Sequence, residues 1–415
     1  LAALTHILAL QDRFLDARAM LPSALRAARA AGMEDLEARL LFTAGSLAWG
    51  QGDLTLALSS HEHALHIAEE ARDVEGEAYA RHGLAETLCL LGPLEVALTH
   101  GRRAQELWRS LGRRPMEHHG GHVLGCLYVL MGQPGEAQLA IDNAARGQQE
   151  LGQRRCEPLA LAARVMAELS RGDLGAALGS ATAGVEDGKD LGGPRTELVA
   201  LLLRIMVLSE LSAGSLAEQD LSAAESLKAR IGGFFEPPLV SAQGWFELQR
   251  GRPSEAAGTF ARARREAEAG LFYRLICGGL EVRAREAAHH ETHLRDAAKW
   301  LLDAAAGSSP AHEALALWAL ARADQMEGDM RAAHERASSA LELAQSVCDL
   351  TVVWRACSVV AATSWSLGDA GAATHARDMG REILSSMASS VGDVELRNLF
   401  LGRPDIASFR AAADS

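Results

Sequence analysis

Apolar residues recur at helical spacing from Leu36 to Gln51 and again from Leu54 to about Ala71, with Gly50-Gln51-Gly52-Asp53 near the break between them. That pattern predicts two helices joined by a tight turn. Gly52 suits the position past a helix end that needs positive φ, and Asp53 suits the N-cap of the next helix. Gly172-Asp173, Gly328-Asp329 and Gly368-Asp369 repeat this punctuation. Proline takes over the helix start in Gly92-Pro93, Gln133-Pro134 and Arg252-Pro253, where its missing N–H does no harm. The other boundary collects Pro115, Pro158, Pro194, Pro237 and Pro310, while Pro22 falls inside a predicted helix, where a kink is expected.

The helical pairs keep a fixed phase. Alanine returns every forty residues at Ala17, Ala57, Ala97, Ala137 and Ala177, and a second register stands seven residues further on at Ala24, Ala64, Ala104 and Ala144. Self-similarity at one period of this size marks a solenoid, and about ten units span nearly all of the 415 residues. A solenoid offers an extended surface, and each unit is expected to touch only its neighbours. The expected fold is therefore all-α, a right-handed superhelix of about ten antiparallel hairpins over residues 1–390, with a cap or tail over 391–415. The register slips near 196–232 and 274–306, which are expected to be irregular units.

The small-residue pattern resembles that of tetratricopeptide repeats, which place a small residue in the first helix, glycine at the turn and alanine twice in the second helix. Gly45, Gly52, Ala57 and Ala64 match it, as do Gly125, Gly132, Ala137 and Ala144, and later Gly244, Gly251, Ala256 and Ala263. HEAT repeats are closer in period, but the glycine and alanine register favours the tetratricopeptide form with long helices, as in regulators of the maltose-activator type. Near the C-terminus, Asp393, Val394, Glu395, Leu396 and Arg397, followed by Phe400, Leu401, Arg403 and Pro404, look like the closing segment of repeat regions behind bacterial AAA-type ATPase modules. Leu1 already sits in a helical pattern, so the chain is expected to be part of a longer protein.

Composition narrows the partners. Aromatic residues make up only 5% of the chain, so alanine and leucine must build the core, and alanine lets helices approach closely. The net charge of −13 argues against a nucleic-acid surface and against anionic membranes. Lysine occurs only at Lys189, Lys228 and Lys299 and asparagine only at Asn143 and Asn398, a bias that suggests a GC-rich bacterial genome. Six cysteines without a paired spacing read as reduced thiols in a cytoplasmic protein, with Cys89 and Cys126 in the core. No run is apolar for long enough to span a membrane.

Phosphate-cradling loops, nucleophile elbows and zinc-protease helices are missing from the sequence, so no enzyme activity and no cofactor are expected. Two histidine groups remain: His118, His119 and His122, and His289, His290 and His293. The pair His118 and His122 at i, i+4 could chelate zinc or nickel, but no partner cluster completes a four-ligand site, so solvated or groove-lining histidines are expected. His61, His63 and His66 lie on a second helix and are expected at the outer surface.

The resemblance implies that the first helix of each hairpin lines a concave, partner-binding face. Carrying the phase over puts Arg39, Phe42, Ser46 and Trp49 there in one unit, Tyr79, His82, Glu86 and Cys89 in the next, and His119, His122, Cys126 and Val129 in the third. Trp245, Trp318, Arg322, Arg355 and Trp365 follow in later units. Arginine and aromatic side chains dominate interface energetics once buried. The expected role is non-enzymatic: a regulatory region that takes a protein or peptide in its groove, its own upstream ATPase or effector domain being one such partner. A small-molecule sensor is the alternative, followed by a metal-binding protein using the histidines, and end-to-end self-association is a further option.

Overall fold

The computed structural model describes residues 14–151, 158–190, 193–231, 236–266 and 270–411. They form helices throughout, with no strand among the described residues. The first helices in order are α1 (Phe14–Ala30), α2 (Glu34–Gly50), α3 (Leu54–Ala71), α4 (Val74–Leu91), α5 (Leu94–Ser110), α6 (Arg114–Leu130) and α7 (Pro134–Glu150). The middle of the chain holds α8 (Pro158–Ser170), α9 (Leu174–Asp190), α10 (Pro194–Glu210), α11 (Gly214–Ile231), α12 (Glu236–Gln249) and α13 (Pro253–Glu266). The last are α14 (Leu271–Ala287), α15 (Glu291–Ala305), α16 (Pro310–Glu327), α17 (Met330–Ser346), α18 (Leu350–Ser366), α19 (Ala370–Ser390), α20 (Val394–Leu401) and α21 (Pro404–Ala411). From α2/α3 to α18/α19 the helices pair as antiparallel hairpins, the tetratricopeptide-like arrangement that the register implies.

The sequence punctuation works as chemistry demands. Gly52, Gly132, Gly172, Gly251, Gly328 and Gly368 all hold positive φ. Asp53, Asp329 and Asp369 accept hydrogen bonds from Leu56, Ala332 and Ala372 N–H, closing the first turn of the helix that follows. Pro22 lies within α1. The expectation for Leu1 lies outside the described residues. Residues 196–231 and 274–305, where the register slips, hold hairpins α10/α11 and α14/α15, with helices of ordinary length. No helix among the described residues is long and apolar enough to cross a membrane.

Core packing follows a size rule set by the alanine registers, whose members are buried to the last few per cent. Gly45, Gly125 and Gly244 each face the residue sixteen positions later, on the second helix of the same hairpin: His61, Ile141 and Phe260. A Cβ at these glycines would stand 2.4, 2.7 and 2.7 Å from those side chains. In the unit between the first two of these, glycine stands on the second helix instead, where Gly101 lies against Leu124 of α6 and Ala85 of its own hairpin. Bulk on one helix is matched by its absence on the other, as close packing requires.

One expectation is overturned. The units do not touch only their neighbours, because the chain coils back on itself about ten helices later. The same turn glycines make the contact: Gly92 packs on Leu271, Gly132 on Val347 and Pro310, and Gly172 on Met387 and Leu350. Arg195 at the start of α10 donates to the Gly50 carbonyl at the end of α2 (2.6 Å). A repeat that closes one superhelical turn in this way exposes the start of the next turn to the hairpin tips of the first.

Candidate functional site

Three first helices bring their predicted residues together. Arg39 on α2 lies over the Tyr79 ring of α4, with its guanidinium carbon 5.8 Å from the ring centroid, and Phe42 meets Tyr79 at 5.1 Å. Tyr79 stacks edge-on against Trp108 at 4.6 Å. One turn further along α4, the His82 ring lies 4.7 Å from His119 of α6, and the Glu86 carboxylate reaches both imidazoles. Arg39 is exposed, while Phe42, Tyr79, Glu86 and His119 are half-buried. Trp49 and Ser46 are half-buried further along α2, and Val129 holds the same state on α6.

Charge on this stripe is uneven. Burial alone would raise the Glu86 carboxyl, but His82 and His119 outweigh it and hold it well below the usual carboxylate range. Burial pushes the His122 imidazole down to about 4, and the neighbouring His119 adds to that shift. His61 is likewise pushed down to about 4, chiefly by burial. Burial and the adjacent Glu75 raise the Tyr79 hydroxyl.

Most of the other predicted residues do not belong to an accessible surface. Trp245, Trp318, Arg355, His82 and His122 are all at most 5% exposed, so they act as packing residues or, for His82, present only an edge. Trp245 is buried because Phe260 packs edge-on against it and the Arg283 guanidinium covers its ring at 4.9 Å. Arg322 is drawn down onto Glu286 at 2.7 Å. Trp365 is 63% exposed at the end of α18, remote in sequence from the stripe. Cys89 and Cys126 are core thiols, with their sulfurs 3.6 Å apart.

His61 corrects a further expectation. His63 and His66 are exposed on α3, but His61 is buried, its ring held between Gly45 of α2 and Gly83 of α4. Two glycines leave a slot that an imidazole fills, and the sixteen-residue spacing from Gly45 is the signal that could have found it. His289, His290 and His293 are exposed, and His290 faces the Ser254 hydroxyl at 3.2 Å.

A second concentration of charge had no local signal. Glu210 ends α10 and is buried against Arg283 of α14, Arg355 of α18 and Arg403 between α20 and α21. Arg403 also donates to the Glu210 carbonyl at 3.0 Å and pairs with Asp405. Burial would raise the Glu210 carboxyl, yet the three guanidinium groups hold it well below its ordinary range. Burial, reinforced by Arg283, pushes Arg355 down to about 9. Asp393 caps α20 and Phe400 is buried, so the closing segment singled out in the sequence fastens the last coil to the first.

No family model matches the chain, and no curated protein matches it. Among solved structures it is similar to the apo form of the quorum sensor NprR from B. thuringiensis, at 13% identity and a TM-score of 0.49, over 81% of this chain and 98% of that one. It is also similar to the Cut9–Hcn1 hetero-tetramer of the APC/C, at 11% identity and a TM-score of 0.35, over 95% of this chain and 93% of that one. The TPR domain of P58(IPK) follows at 12% identity and a TM-score of 0.25, over 86% of this chain and 96% of that one.

Proposed function

We propose that the chain is a non-enzymatic scaffold that binds a protein or peptide segment along α2, α4 and α6. The observation that carries this reading is the half-exposed ladder in which Arg39, Phe42 and Tyr79 make one continuous contact surface across two hairpins. A planar guanidinium over an aromatic ring gives flat apolar area with charged donors at its edge. Such a surface suits an extended segment carrying an apolar side chain beside a carboxylate. In this reading the region regulates a larger bacterial signalling protein in the cytoplasm, and the bound segment comes from a partner or from that protein's own effector domain.

The test is selection of peptides from a random display library on the full chain, followed by affinity measurement by fluorescence anisotropy. The double variant Arg39→Ala/Tyr79→Ala should weaken a selected peptide by about tenfold or more, the scale of one lost hot-spot pair. The outer-surface variant His63→Ala should leave the affinity unchanged. Equal affinity in the double variant and in the wild type would overturn the placement of the site.

A further inference from the structure

We infer that His82, Glu86 and His119 form a binding site for one divalent transition-metal ion of the zinc type. The three donors lie on adjacent first helices, with His82 and Glu86 one turn apart on α4 and His119 opposite them on α6. His82 Nε2 stands 3.6 Å from Glu86 Oε1, and His119 Nε2 stands 3.5 Å from the same oxygen. One ligand atom from each residue falls within 4.8 Å of the other two. Zinc bonds of about 2.0–2.2 Å in tetrahedral geometry place neighbouring ligand atoms about 3.3–3.6 Å apart, so the site needs little rearrangement to close on an ion.

Three further features distinguish the cluster from a chance meeting of polar groups. His82 Nε2 is buried, and Glu86 Oε1 at 3.6 Å lies just beyond hydrogen-bond distance from it, a gap that a shared metal ion would close. Among the described residues the groups within ion-pair distance of the Glu86 carboxylate are these two imidazoles, which ligate a metal when neutral, and no guanidinium or ammonium group stands there. Access comes from the half-exposed side: the Glu86 and His119 side chains are 18% and 28% exposed, against 3% for His82. Two imidazoles and one carboxylate make a three-ligand set that leaves a position for water or an incoming group, the pattern of open rather than structural zinc sites. The site uses neither the His118/His122 pair singled out by spacing nor the exposed His289 group. It also stands independently of peptide binding, since none of its ligands is altered in the Arg39→Ala/Tyr79→Ala test.

The experiment uses the untagged full chain, stripped with chelator and dialysed against Zn2+, with bound metal counted by mass spectrometry and affinity read by competition with a chromophoric chelator. Wild type should retain one equivalent, and Co2+ in its place should give visible d–d absorption. His119→Ala and Glu86→Gln, both at half-exposed positions and checked for wild-type helicity by circular dichroism, should each weaken affinity by about 100-fold or more, since even outer-shell partners contribute 10–100-fold. His289→Ala/His293→Ala should bind as wild type does. No retained ion overturns the inference. So does binding that survives both ligand variants, or binding lost with His289 and His293.

Discussion

Substituting Gly83 by alanine tests the packing rule at its most constrained point. A Cβ there would stand 2.4 Å from His61 Cε1 and Nδ1 and 2.7 Å from Nε2. The ring cannot retreat, because Gly45 closes its other face, with the same Cε1 2.4 Å from a Cβ built at that position. Overpacking of this kind costs about 1–3 kcal/mol, whereas replacing a mid-helix glycine by alanine stabilises by about 1 kcal/mol. Gly83→Ala should therefore destabilise the wild-type chain by up to about 2 kcal/mol. In a His61→Ala background the clash is gone, and the same substitution should stabilise by up to about 1 kcal/mol. The sign reversal gives a coupling energy of about 1–3 kcal/mol, measurable by urea unfolding of the four chains of a double-mutant cycle. Hydrogen exchange of α2–α4 peptides locates the effect if unfolding is not two-state. Equal destabilisation by Gly83→Ala in both backgrounds would refute the wedge.

Two further substitutions probe the contacts between coils. Glu210→Gln leaves Arg283, Arg355 and Arg403 facing one another with Asp405 as the remaining anion, and breaking a buried pair of this kind costs about 3 kcal/mol. Because the folded Glu210 carboxyl lies below its ordinary value of 4.5, its stabilisation is present above that pH and is lost as pH falls through the folded value. Urea midpoints of wild type should therefore drop below about pH 4.5 more steeply than those of the variant; parallel slopes would sink the assignment. Gly132→Ala adds a Cβ 2.5 Å from Val347 Cγ1 at a φ of +66°, while Gly251→Ala meets nothing within 4 Å at a φ of +70°. Both carry left-handed strain of about 1 kcal/mol, so the control isolates an inter-coil clash of about 1–3 kcal/mol, and equal urea midpoints would deny that the coils pack there.

Local spacing made much of the molecule readable. Asp53, Gly52 and the alanine registers act within one hairpin, so short-range sequence carries them, and helix positions follow to within a residue or two. The ladder of Arg39, Phe42 and Tyr79 was readable for the same reason, since phase alone aligns equivalent positions on neighbouring first helices. His61 was misplaced because layer position suggested exposure, whereas the decisive fact is the absence of side chains at Gly45 and Gly83. Trp245, Trp318 and Arg355 failed differently. Their phase is right for an inner face, but Arg283 of the next first helix covers Trp245, and Arg355 is drawn onto Glu210 of an earlier turn.

What no local pattern could show is the contact of each early turn with helices ten places later, and this changes the physics of the stack. In a solenoid with neighbour contacts alone, small changes at each interface add smoothly to a change in curvature. Here Gly92, Gly132 and Gly172 seat side chains of the following coil, and Glu210 joins α10 to α14, α18 and the C-terminal helices. Altering the curvature must then unseat packed side chains and strip a buried carboxylate of its partners, steps that have no graded intermediate. Packed interfaces switch between arrangements rather than deform continuously. The contact between Arg403 and Glu210 therefore behaves as a latch on the stack, held or released, rather than as a spring.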